Sequence, residues 1–166
     1  MSFLSDVRSA MYTLVGATWT GVSTIWDVEN ANRYSWRELI ENWERSQSTL
    51  DVQPPFAVLR WLEATPEEFG ASNEAYKWPV LIYYVTGLRN TSTGAAKSQE
   101  TLMAEIEDAQ LAMTAALKAY TSGAFSVFNF SLDASDTSAV NDYMLSKNLP
   151  FYVGAVRADL IVGRTV

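Results

Sequence analysis

Phe3, Leu4, Val7, Met11, Leu14 and Val15 recur at three- and four-residue steps, the spacing that lays side chains along one side of an α-helix. This pattern predicts a first helix with Ser2 as its cap, Asp6 in its first turn, and Gly16 or Gly21 at its end. Ser35-Trp36-Arg37-Glu38 has the form of a capping box, in which hydroxyl and carboxylate each accept from an orphan N–H. A second helix is expected from there to Ser46–Thr49, with Trp36, Leu39, Ile40 and Trp43 inside and Glu38, Glu41 and Glu44 outside. The longest periodic stretch is Ser98–Thr121, where Leu102, Ile106, Ala109, Met113, Ala116 and Tyr120 form one stripe and Gly123 supplies the stop.

Between these helices the period changes. Pro54-Pro55 stops helix, and Phe56–Leu62 has the β-branched and aromatic bias of a strand. Thr65-Pro66-Glu67-Glu68 reads as a capped single turn within a long connection. Trp78–Val85 is apolar on both faces, as in a central strand covered on each side, with Pro79 tolerated at its start. Thr86–Lys97 has the polar, glycine-containing composition of a mobile loop. Ala124–Phe130 is a third strand, Asp133–Asn148 a short helix begun by Ser135 or Asp136, and Phe151–Val162 the last strand, with Arg157 and Asp159 opposite Val156, Ala158 and Leu160.

The order predicts one α+β domain over 1–166, helical in 1–50. Residues 51–166 supply a mainly antiparallel four-stranded sheet with one long helix packed on a face. The N-terminal helices are expected to share the other face, and any apolar surface left over invites a second subunit. The strand after the long helix is left open between parallel and antiparallel pairing.

Composition narrows the chemistry. The chain has 166 residues, 48% of them hydrophobic, with 12 Lys+Arg against 19 Asp+Glu and a formal charge of −7. That balance argues against phosphate grip as the main task. With neither Cys nor His, disulfide scaffolds, zinc fingers, haem attachment and imidazole-assisted nucleophiles are excluded. No apolar run approaches the roughly 20 residues that cross a bilayer as a helix, and Met1-Ser2-Phe3 begins no signal peptide, so a soluble protein is expected.

Carboxylate chemistry is the route left open. Glu67/Glu68, Glu105/Asp108 and Asp133/Asp136 are the paired acids, each better explained as a solvated face or cap, given the usual surface preference of acids. Glu74 and Lys77 lack the spacing of a metal-dependent nuclease, and no phosphate-binding glycine loop or calcium loop is present. No catalytic, metal or cofactor site is therefore expected. Trp19 and Trp26 lie in a segment without clear period, where burial in the chain's own core and burial in a partner are both open.

Residues 51–166 resemble tail terminator proteins of long-tailed bacteriophages. The resemblance rests on Pro54–Arg60 opening a strand, the long connection to Trp78–Val85, the helix through Leu102 to Tyr120, and the closing Phe151–Gly163. It implies a non-enzymatic virion protein, made in the host cytoplasm and placed at the tail–neck junction. Such a subunit forms a hexameric ring on the tail tube, stops tube polymerisation and meets a head-completion or stopper protein. DNA passes through such a ring without specific binding.

On that reading the stretches Thr65–Tyr76 and Thr86–Lys97 are interface arms, with Glu67, Glu68, Arg89, Lys97, Trp19 and Trp26 as interface candidates. Residues 98–146 hold Glu100, Glu105, Glu107, Asp108, Asp133, Asp136 and Asp142 against Lys118 alone. Glu100, Glu107 and Asp108 are accordingly candidates for the channel lining, where like charge keeps DNA from sticking. Another head–tail connector is the nearest alternative; a small ligand-binding domain or a carboxylate-dependent hydrolase is the alternative from a different class.

Overall fold

The computed structural model describes residues 3–22, 25–28, 54–68, 73–90, 92–121, 123–132, 141–142, 145–146 and 151–165. Its elements in chain order are α1 (Phe3–Thr18), β1 (Ile25–Val28), β2 (Phe56–Trp61), β3 (Thr65–Glu68), β4 (Asn73–Gly87), α2 (Gln99–Ala119), β5 (Ser126–Leu132) and β6 (Phe151–Thr165). The protein is α+β. The four anticipated strands are β2, β4, β5 and β6, and the sheet gains β1 and β3. Ser2, the Ser35 capping box with its helix, and the helix start at Ser135 or Asp136 lie outside the described residues.

The sheet runs β1-β2-β4-β6-β5, with β3 added to β4. β1 pairs parallel with β2, and every other pairing is antiparallel. β4 and β6 pair along their whole length, from Asn73↔Thr165 to Gly87↔Phe151, and form the spine. β5 joins β6 antiparallel, which resolves the open pairing of the strand after the long helix.

Side-chain alternation gives the sheet two apolar faces. Ala57, Leu59 and Trp61 of β2, Trp78, Val80 and Ile82 of β4, and Val156, Ala158, Leu160 and Val162 of β6 share one core with Val7, Met11 and Val15 of α1 and Ala109, Met113 and Leu117 of α2. α1 thus lies on the same face as α2, not on the opposite face where the N-terminal helices were expected. The physical reason is that α1 presents a stripe narrow enough to pack beside α2 as well as on the sheet. The other face is buried too, with Phe56, Val58, Leu81, Tyr83, Val85, Val153 and Ala155.

Local chemistry accounts for the helix ends. The Ser98 side chain caps α2 by accepting from Thr101 N at 3.1 Å, with Glu100 in the first turn and Lys118 in the last. The helix stops at Tyr120, whose ring stacks on Phe125 at 4.0 Å, so the chain reverses before the positive-φ Gly123 completes the turn. α1 runs through Gly16 to Thr18, because neighbouring packing outweighs one glycine's cost of about 1 kcal/mol. Gly154 has a packing role: a Cβ there would collide with the Ile106 side chain, so its absence lets α2 settle onto β6.

Two expectations about the β2–β4 region are corrected. Thr65–Glu68 is not a turn but strand β3, in register from Thr65↔Lys77 to Glu68↔Glu74. Pro79 lies in the interior of the 15-residue β4, not at its start. Both follow from one arrangement. Leu62 N donates to Pro79 O at 3.0 Å, so residue 79 faces β2 with its backbone groups, and its missing N–H falls where β2 ends and β3 has yet to begin.

Candidate assembly surfaces

The stretch after β4 is a hydrogen-bonded hairpin rather than the mobile loop its composition suggested. Lys97 N donates to Leu88 O at 2.9 Å, Asn90 N to Ala95 O at 2.8 Å, and Gly94 N to Asn90 O at 2.8 Å. Asn90 Oδ1 accepts from Ser92 N and Ser92 Oγ, and Gly94 adopts φ +71°, so asparagine and glycine supply the turn chemistry. Arg89 is exposed, with Nη1 donating to Gly94 O at 3.0 Å, and stands at the surface of this arm.

Lys97 is partly buried and has partners within the chain. Its Nζ lies 2.9 Å from Glu105 Oε2 and 3.2 Å from Thr86 Oγ1, and Thr86 Oγ1 donates to the same carboxylate oxygen at 2.7 Å. At 15% side-chain exposure the ammonium is mostly withdrawn from water. This cluster ties the base of the hairpin to the end of β4 and the first turns of α2. Burial, with the Glu105 charge adding to it, holds the nearby Tyr84 phenol above its ordinary pKa. Glu105 therefore belongs to a staple, although the sequence grouped it with the other acids of α2.

Trp19 is likewise a core residue. It is 6% exposed, its Nε1 donates to Ala109 O at 3.0 Å, and its ring meets Tyr84 edge-on at 5.1 Å. The open choice for Trp19 thus falls to the chain's own core, since only there does its N–H find a carbonyl on α2. Trp26 is in β1, in register with Val58. Glu67 and Glu68 are in β3, opposite Ala75 and Glu74, so the arm expected over Thr65–Tyr76 is two paired strands. The side chains of Trp26, Glu67 and Glu68 are outside the described set.

Among the described residues, two surfaces that expose large apolar side chains are candidates for assembly. The outer side of α2 exposes Glu100, Glu107 and Asp108, the channel candidates, on the same helix as the exposed apolar side chains Met103 and Leu111. The second is β5, the sheet edge, where Phe128 and Leu132 are 67% and 53% exposed. A register shift between Val127 and Asn129 bends it, and Lys77 Nζ lies 5.5 Å from the Phe128 ring centre.

Where β6 extends beyond β5, side chains close its edge. Asn141 Oδ1 accepts from Val153 N and Asn141 Nδ2 donates to Val153 O, both at 2.9 Å, while Gln110 Nε2 donates to Ala155 O at 2.9 Å. Sequence reasoning missed Gln110 and Asn141 because nothing in spacing reveals which carbonyls a sheet leaves open. An open hollow of about 390 Å³ lies between the end of α2 and β5, against Lys118, Tyr120 and Phe130, with no carboxylate among the described residues that line it. Among the described residues no group of three acidic side chains is placed to hold a metal ion.

Comparison with protein-family models gives no match, and comparison with curated proteins gives none either.

Proposed function

We propose that this chain is a tail terminator of a long-tailed bacteriophage, a structural subunit whose hexameric ring caps the tail tube, ends tube growth and offers its opposite side to a head-completion protein. The observation that carries the reading is the outer side of α2. Met103 and Leu111 stand exposed there among Glu100, Glu107 and Asp108. Exposed apolar side chains set among charges on a rigid, 21-residue helix suit a surface that a neighbour covers on assembly. The stapled hairpin with Arg89 at its surface is a firm arm of the kind that docks on a preformed tube. In the ring, the acidic positions of α2 that remain uncovered repel the DNA backbone and let it pass.

The experiment is to let the phage's tail tube protein polymerise with and without this protein and to measure tube length by negative-stain electron microscopy. Shortened tubes with sixfold density at one end are expected, and Arg89→Glu is expected to lower the fraction of capped tubes. Uncapped tubes of unchanged length overturn the proposal.

A further inference from the structure

We propose that the outer edge of β5, unpaired among the described residues, is a strand-addition site whose occupant is a second copy of this chain, paired β5 to β5 about a twofold axis at Ser131. The register assigns the direction of every backbone group. Val153 N and O meet Asn141 and Ala155 O meets Gln110, so odd-numbered residues of β6 face away from β4 and toward β5. Ser131 and Asn129, opposite Arg157 and Asp159, turn their backbone groups inward to β6. Phe130 and Leu132, opposite Ala158 and Val156, turn theirs outward. Among the described residues no strand pairs with that outer side, and Ser126, Phe128, Asn129, Ser131 and Leu132 are all exposed.

An open ladder selects an extended chain as its partner, since only a strand matches its spacing of donors and acceptors. Three features select a second copy. Ser126–Leu132 carries no charge and no proline, so two copies of an acidic protein approach here without like charges facing each other. The protein closes the neighbouring edge at Val153 and Ala155 with side-chain amides, whereas among the described residues no group caps β5. Antiparallel pairing centred on Ser131 is also self-complementary. It sets Phe130 opposite the second copy's Leu132 on the helix-bearing face, twice, with backbone bonds at both pairs. The bulge at Val127–Asn129 confines the flat part to the residues this register uses. The contact is isologous and closes at two, so it is separate from the head-to-tail contacts of a ring and does not rest on the capping function.

The chain has no cysteine, which makes the test direct. Ser131→Cys places two thiols across the axis at a non-hydrogen-bonded pair, about 4.5 Å between Cα atoms, within disulfide reach. Mild oxidation of this variant is expected to give at least tenfold more covalent dimer than Asn129→Cys, whose thiols stand about 13 Å apart in the same register. Adding Leu132→Pro, which removes an outward N–H and leaves the β5–β6 ladder intact, is expected to abolish the cross-link while circular dichroism stays unchanged. No dimer from Ser131→Cys, or equal dimer from Asn129→Cys, overturns the pairing whether or not tubes are capped. Conversely, a cross-linked dimer that fails to shorten tubes overturns only the capping proposal.

Discussion

The indole Nε1 of Trp78 donates to the carbonyl of Leu62 at 2.8 Å and takes the place of the N–H that Pro79 lacks. Leu62 and Pro79 stand opposite each other just beyond the Trp61↔Val80 pair, and Leu62 N already donates to Pro79 O. In an all-amide ladder residue 79 would return a bond to Leu62 O. Proline cannot, and the side chain one residue earlier does. The same indole ring lies 4.3 Å from that of Trp61, so the substitute bond is packed into the core.

Replacing Trp78 by Phe is expected to cost about 1–3 kcal/mol, because a partly buried carbonyl loses its donor along with some packing. In a Pro79→Val background, which restores the missing N–H, the same change is expected to cost less. Urea denaturation of the four proteins of this double-mutant cycle measures the coupling. Equal costs in both backgrounds would show that the indole is there for packing alone.

Gly154→Ala is expected to destabilise the protein by about 1–3 kcal/mol, since the new methyl would meet the stiff, β-branched Ile106 and push α2 off β6. Pairing it with Ile106→Ala removes the obstructing methyl group. The double variant is expected to lose less than the sum of the single losses, as read from thermal or urea unfolding.

Raising the pH is expected to weaken the fold through Tyr84. Burial, and secondarily the Glu105 charge, hold this phenol above its usual pKa, so the folded state keeps a proton that the unfolded chain releases. The stabilisation is complete below the unfolded value of about 10 and is lost as pH rises through the raised folded value. Tyr84→Phe should flatten the decline in urea stability between about pH 9 and 11, and Glu105→Gln should reduce it less. A wild-type slope kept in full by Tyr84→Phe would assign the decline to other groups.

Lys97→Met is expected to free the base of the hairpin while leaving its tip hydrogen bonds intact. The Lys97–Glu105 pair is partly buried, with 15% and 35% side-chain exposure, and contributes about 1 kcal/mol. Hydrogen exchange should therefore speed up at the Lys97 N–H and in the first turn of α2 before it changes elsewhere. Unchanged protection at Lys97 N would show that the backbone bond to Leu88 holds the hairpin without the ion pair.

Local pattern was enough to place α2, β2 and the central part of β4, because side-chain periodicity and capping chemistry act within a few residues. Leu102, Ile106, Ala109 and Met113 were legible as an inward stripe and Ser98 as the start of their helix. The residues whose meaning changed all depend on a partner distant along the chain. Thr65–Glu68 becomes a strand because Glu74–Lys77 offers it a ladder. Trp19 is a core residue because Ala109 O receives its N–H, 90 positions away.

The candidate surfaces divide in the same way. The exposure of Arg89, Glu100, Glu107 and Asp108 agrees with their sequence setting, since short-range polarity favours water. Lys97 and Glu105 have the same local polarity but meet across the closed hairpin, and their distance in space was invisible until the hairpin had a shape. The sequence by itself determined that α2 is helical, that β2 and the centre of β4 are extended, and which chemistry is excluded by having neither Cys nor His. Tertiary structure alone decided that α1 and α2 share one face, that Trp78 makes good the N–H absent at Pro79, and that β5 is the edge of the sheet among the described residues. Each of these depends on which strands are neighbours, and strand order is set by packing between distant segments rather than by any local run of residues.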